Sequence, residues 1–102
     1  MGKKVVIIGA GVSGLSAGIY ALQAGYSVEI YEKNKMPGGE CTGWNRQGYH
    51  IDNCINFLVG CNKDEQLYKM WENLGVLSDS LEIYREPYFY CMEMDGVTLH
   101  LW

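Results

Sequence analysis

Basic residues are scarce in this chain: eight Lys and Arg stand against twelve Asp and Glu, for a formal net charge of −4 over 102 residues. The three Trp, eight Tyr and two Phe are not interleaved with a cationic stripe. Neither a phosphate-backbone surface nor a base-stacking platform for nucleic acid is therefore expected. Apolar runs are short, and none approaches the roughly 18 residues of a membrane-spanning helix. Four apolar residues follow Lys3-Lys4 before glycines begin, too few for a secretory signal, so a cytoplasmic location is expected. Metal-ligand spacing is missing as well. Cys41, Cys54, Cys61 and Cys91 contain no CxxC and have 12, 6 and 29 residues between them. His50 and His100 lack partners at HxxxH or ExxH spacing. The four cysteines read as reduced thiols, mostly buried as small hydrophobes, with Cys41 and Cys54 candidates for a place near a cofactor. No internal repeat, charge block or low-complexity linker interrupts the chain. Its hydrophobic content of 48% suits one small domain with a core.

What the chain does carry is glycine at particular places. Lys4-Val5-Val6-Ile7-Ile8 is β-branched and continuously apolar, as expected of a parallel strand buried on both faces. Gly9-Ala10-Gly11-Val12-Ser13-Gly14 follows at once. Gly9 permits the turn out of the strand, Gly11 removes a side chain where the backbone must approach a pyrophosphate, and Gly14 lets the next helix lie close. That helix is expected from Ser13 to Ala24. Gly14, Ala17, Gly18 and Ala21 form its packing face, Leu15, Ile19 and Leu22 extend it, and Gly25 stops it. Its N-terminus offers unpaired N–H groups and a partial positive charge to phosphates.

Ser27 to Glu32 reads as a second strand. Glu32 lies 18 positions after Gly14, placed to accept hydrogen bonds from both hydroxyls of an adenosine ribose. A carboxylate there repels a 2′-phosphate and argues against NADP. Lys33 and Lys35 weaken that exclusion slightly, and both read as solvated.

A second signature follows. Pro37-Gly38-Gly39 cannot continue a helix. Its paired glycines suit a second close backbone approach, to the other side of the same pyrophosphate. Gly48-Tyr49-His50-Ile51-Asp52 then alternates like a short strand entering a loop. Together these motifs resemble the flavoproteins in which GxGxxG is followed by Gly-Gly: amine oxidases, protoporphyrinogen oxidase and above all the phytoene desaturase and retinol saturase branch. The resemblance is firm over about residues 3–60. It implies that Gly9, Gly11, Val12, Ser13 and Gly14 hold the pyrophosphate of FAD, Glu32 the adenosine ribose and Lys33 the adenosine border. It also implies that Gly38, Gly39, Glu40 and Thr42 line the cofactor toward its riboflavin. Two positions depart from the pattern. Glu40 stands where many members have Arg or Lys, and either binds a ribityl hydroxyl or faces solvent. Cys54 stands where many have Gly.

Further on, Asn62 and Glu65 have capping-box spacing, and Leu67, Met70, Trp71 and Leu74 form an apolar helical face ended by Gly75. Leu81–Glu86 and Tyr88–Met94 read as strands, and Asp95-Gly96 as a hairpin turn returning through Val97–Trp102. Tyr84, Tyr88 and Tyr90 either line an apolar substrate pocket or make cross-strand pairs.

The expectation is an α/β protein: a Rossmann-like βαβ unit with an incomplete parallel sheet, then a helix and an antiparallel hairpin. Residues 1–78 would be the dinucleotide-binding segment and 79–102 the start of a substrate domain, in the N-terminal portion of a longer protein. The implied activity is that of a flavin-dependent oxidoreductase acting on an apolar substrate by dehydrogenation, saturation or isomerisation, with no catalytic residue evident in this stretch. The alternatives are an NAD-linked dehydrogenase domain and a non-catalytic fragment that self-associates through open strand edges.

Overall fold

The computed structural model describes residues 2–55 and 57–102. Strand β1 (Lys4–Ile8) pairs in parallel with β2 (Ser27–Tyr31), in register from Lys4 opposite Ser27 to Ile8 opposite Tyr31. Helix α1 (Val12–Gln23) makes the crossover, as the 3.6-residue spacing of its small residues requires. Those residues let it settle deeply on the sheet. A Cβ added at Gly14 would lie 2.1 Å from the Gly9 carbonyl oxygen, and one at Gly18 would lie 3.1 Å from Ile30 Cδ1. Ala17, expected on this face, is exposed instead. Gly25 ends the helix as expected: the N–H of Gly25 bonds the Leu22 carbonyl and that of Tyr26 bonds the Ala21 carbonyl, a Schellman arrangement.

The structure corrects the expectation for β1. Only one face is covered, because α1 packs on Ile7, Val28 and Ile30, whereas Val6 and Ile8 are 53% and 82% exposed. Parallel sheets are stable when covered on both sides, and the described residues supply a helix to one side only.

Two antiparallel hairpins flank a short helix. β3 (Gly43–Arg46) and β4 (Tyr49–Asp52) are joined by Gln47-Gly48, with φ of 50° and 83°. These values match the turn whose twist suits a two-residue hairpin. β4 is the short strand expected there, but β3 is not legible in the sequence. Helix α2 runs Gln66–Asn73 with Glu65 as its N-cap, which moves its start from the expected Asn62. The Asn62 amide donates to Glu65 Oε1 at 2.5 Å and the Glu65 N–H to the Asn62 carbonyl at 3.0 Å, so this pair forms a turn ahead of the helix. Met70, Trp71 and Leu74 are half-buried, but Leu67 is exposed and Tyr68 takes the buried position.

Leu81–Glu86 forms no strand. Among the described residues its backbone finds no partner strand; the Leu81 N–H bonds the Ser78 carbonyl and the Arg85 guanidinium donates to the Cys61 carbonyl. β5 (Tyr90–Met94) and β6 (Val97–Leu101) make the expected hairpin through Asp95-Gly96.

Among the described residues only Ala10, Tyr68 and Leu77 are buried hydrophobics. The accessible surface is 8909 Å², against about 5,800 Å² for a compact monomer of this mass. The radius of gyration is 18.3 Å, against about 13 Å for a compact domain of this length. The βαβ unit is ordered locally by hydrogen bonds and close helix packing, not by a large shared core.

Candidate functional site

The end of β1 is where the chain's glycines meet. The Gly9 N–H donates to the Tyr31 carbonyl at 2.7 Å, which carries the β1–β2 ladder one step into the loop. Ala10 is 4% exposed and uses both of its backbone groups. Its N–H donates to Glu32 Oε2 at 2.7 Å, and its carbonyl accepts the Gly38 N–H at 2.7 Å. Gly11 and Gly38 form an isolated parallel bridge. A Cβ on Gly39 would lie 3.2 Å from Gly11 Cα at the observed φ of 60°, so glycine lets the two chain segments run this close without a backbone shift. The two glycine segments, separated in sequence by α1 and β2, thus form one backbone-lined cleft.

Helix α1 points its N-terminus into this region. Its first internal bond runs from the Leu15 N–H to the Gly11 carbonyl. The N–H groups of Val12, Ser13 and Gly14 are therefore the orphan donors of the first turn, at the positive end of the helix dipole. Val12 and Ser13 are exposed and Gly11 and Gly14 half-buried, so these groups are within reach of a ligand from solvent. Backbone amides and a helix dipole attract an anion without placing a cation in the cleft.

Glu32 closes the adjacent side. Its Oε1 accepts the Asn34 N–H at 2.8 Å while Oε2 accepts that of Ala10. The N–H groups of Asn34 and then Ala10 hold its carboxyl below the usual carboxylate range, because donors to both oxygens favour the charged form. An ionised carboxylate keeps about four acceptor positions, so two backbone bonds leave capacity for hydroxyl donors. Lys33 follows it on the exposed surface.

Beyond Gly39 the chain is pinned to the β3–β4 hairpin. The Thr42 hydroxyl donates to the Gly39 carbonyl at 3.1 Å, and the Asn53 N–H donates to the Thr42 carbonyl at 2.8 Å. Glu40 is exposed, and its Oε2 also accepts the Asn53 amide at 3.0 Å. The structure therefore brings together Gly9, Gly11, Val12, Ser13, Gly14, Glu32, Gly38 and Gly39, with Glu40 and Thr42 on the way to β3. Sequence reasoning missed Ala10, Asn34 and Asn53. The first two act through backbone groups that any residue type carries; only Asn53 has a side-chain signal, and its partner is fixed by the hairpin register.

The tyrosines lie elsewhere. Tyr84 is outside any strand, which removes it as a cross-strand pair, while Tyr88 stacks on His100 with ring centroids 4.4 Å apart. Both border an apolar groove together with Tyr90, Phe57, Leu77 and Trp102. Among the described residues, no helix is long and apolar enough to cross a membrane.

Comparison with known proteins bears on this cleft. The family model described as an NAD(P)-binding Rossmann-like domain matches residues 7–74, which span both glycine segments, Glu32 and α2. A 4,4′-diaponeurosporene oxygenase of Staphylococcus aureus is 32% identical over 103 aligned positions, covering 100% of this chain and 20% of that protein. A chloroplastic/chromoplastic zeta-carotene desaturase of Zea mays is 34% identical over 73 positions, covering 71% of this chain and 12% of the relative. The chain thus spans a fifth or less of the length of these curated relatives. They bear out the resemblance to phytoene desaturase-type oxidoreductases read from residues 3–60.

Proposed function

This chain belongs to the NAD(P)-binding Rossmann-like domain family, and from that premise we propose that it is the FAD-binding N-terminal part of a flavin-dependent oxidoreductase. The observation that carries the reading is the contact of Gly38 and Gly39 with Ala10 and Gly11. A dinucleotide site built from GxGxxG alone needs one close backbone approach; here a second glycine segment forms the opposite wall. The absence of side chains at Gly11 and Gly39, where the two backbones meet, would let a diphosphate approach both segments.

In this reading the N–H groups of Val12, Ser13 and Gly14 bind the pyrophosphate, with Gly9 and Gly11 giving the backbone its approach. Glu32 accepts the hydroxyls of the adenosine ribose. Its depressed pKa keeps it anionic, so it also repels a 2′-phosphate. Lys33 borders the adenosine. Gly38, Gly39, Glu40 and Thr42 line the path toward the riboflavin, with Glu40 fixing that path through Asn53 rather than neutralising phosphate. Bound flavin supplies two-electron transfer, and the residues of this chain orient it and set the charge around its diphosphate.

The names of the relatives, an oxygenase and a desaturase, support an oxidoreductase acting on a polyene or similar apolar substrate. Calorimetric titration of the chain with FAD, ADP, NAD and NADP tests the assignment. Binding of FAD and ADP with NADP excluded supports it; NAD binding tighter than FAD transfers the site to the NAD-linked reading that the family description also allows. A protein that binds none of them and sediments as a dimer supports the reading as a self-associating module, which the exposed Val6 and Ile8 on β1 favour.

A further inference from the structure

We propose that Cys41 and Cys54 are a modification site: a thiol pair that closes to a reversible disulfide across the open end of the β3–β4 hairpin. The register of the hairpin places the two thiols, independently of any cofactor. In the hairpin Arg46 faces Tyr49, Asn45 faces His50, Trp44 faces Ile51 and Gly43 faces Asp52. The Asn53 N–H bonds the Thr42 carbonyl at 2.8 Å, so the pairing continues one step past the strands. Carried one more position, that register would oppose Cys41 and Cys54. The strands stay side by side to that point, because the Asn53 amide reaches the carbonyl and carboxylate of Glu40 at 3.4 and 3.0 Å.

The parity is the one a disulfide needs. Pairs in an antiparallel ladder alternate between hydrogen-bonded and non-hydrogen-bonded. With Thr42 and Asn53 in the bonded class, Cys41 and Cys54 fall in the other class. In a regular ladder the facing Cα atoms of that class are about 4.5 Å apart, inside the roughly 4.4–6.8 Å range of disulfides. The Cys41 N–H is used within its own segment, donating to the Gly38 carbonyl at 3.0 Å, as a residue of that class allows. Alternation puts both cysteines on the hairpin face of Asn45 and His50, whose side chains meet at 2.9 Å. Both cysteines are exposed and unbridged.

The oxidant is a small-molecule disulfide. One cysteine thiolate attacks it, forming a mixed disulfide and releasing one small thiol. The second thiolate attacks the protein sulfur and displaces the other small thiol. Two S–H bonds are lost, one S–S bond forms, and the two electrons and two protons leave on the two released thiols. Intramolecular disulfides formed in this way are usually redox-responsive when they occur in reducing compartments.

The test treats the folded chain with oxidised glutathione, alkylates the remaining thiols and maps the peptides by mass spectrometry. The proposal expects a Cys41–Cys54 crosslink, loss of alkylation at those two positions, and alkylated Cys61 and Cys91. In denaturant the shorter loop wins: 6 residues separate Cys54 from Cys61 and 12 separate Cys41 from Cys54. Loop-closure entropy then favours Cys54–Cys61 by roughly threefold, so folding must invert the preference. Cys54→Ser should trap glutathione on Cys41, whereas Cys61→Ser should leave the crosslink intact. A Cys54–Cys61 bridge in the folded chain, stable glutathione adducts on both cysteines, intermolecular dimers, or no oxidation at all would each overturn the proposal. Absence of FAD binding has no bearing on it.

Discussion

The Gly38 N–H donates to the Ala10 carbonyl at 2.7 Å, joining two backbone segments that are 28 positions apart in sequence. Ala10 in turn donates to Glu32. One small buried residue thus ties the first glycine loop, the acid after β2 and the second glycine segment into a single cleft. Each contact is made by main-chain atoms on the Ala10 side, so the cleft's geometry depends on backbone approach, and glycine is where that approach is most easily spoiled.

Gly39→Ala should weaken FAD binding by tenfold or more, which corresponds to about 1.4 kcal/mol. Its Cβ would press on Gly11 Cα at 3.2 Å, at a φ of 60°. Gly48→Ala is the control, because it shares a positive φ but has nothing within 4 Å. It should cost about 1–2 kcal/mol of backbone strain while leaving affinity unchanged. Equal affinity losses in the two variants, measured by calorimetry, would show that the cleft contact is unimportant.

The Glu32 carboxyl is held below its ordinary value near 4.5 by the Asn34 and Ala10 N–H groups. Because the folded pKa is depressed, the stabilisation is fully present above the unfolded value and is lost as pH falls through the folded one. Tm should therefore drop more steeply below pH 4.5 in the parent chain than in Glu32→Gln. Other carboxylates with lowered pKa, Glu29 and Asp79, contribute equally to both curves and cancel in the comparison. Parallel curves would remove Glu32 from the account. The same variant should lose ADP affinity at neutral pH.

Helix packing predicts an ordered pair of effects. Gly14→Ala would put Cβ 2.1 Å from the Gly9 carbonyl oxygen, a backbone atom that cannot yield cheaply. A loss of about 1–3 kcal/mol is expected. Gly18→Ala meets the flexible end of Ile30 at 3.1 Å, and the better helix propensity of alanine returns up to about 1 kcal/mol. Thermal melts should show a large drop for the first and little change for the second.

Asn62→Ala should destabilise α2 by only a few tenths of a kcal/mol, below the roughly 1 kcal/mol of a lost N-cap. The helix starts from Glu65, and Asn62 only stabilises the preceding turn. A loss near the full cap value, read from helical circular dichroism on heating, would restore Asn62 as the cap.

The βαβ unit was legible because its signals are local. Strand β1, the three glycines, the small face of α1 and Gly25 each report their own backbone geometry through residue type. The Asp95-Gly96 turn was equally plain, since few residues accept two positive φ values in succession. Strand β3 was not legible: Gly43-Trp44-Asn45-Arg46 has no strand character of its own and pairs only because Gln47-Gly48 folds β4 back onto it. Leu81–Glu86 failed in the opposite way, having strand-like alternation but no partner to complete its hydrogen bonds.

The amino-acid sequence by itself determined where the backbone can turn, approach closely or coil, and it placed an acid at the end of β2. Which distant segments meet was decided only in three dimensions: Gly38 against Ala10, Asn53 against Glu40, α1 on a single face of β1. The reason is physical. Residue type restricts φ and ψ one position at a time, whereas a hydrogen bond between segments 28 positions apart depends on the path of every element between them.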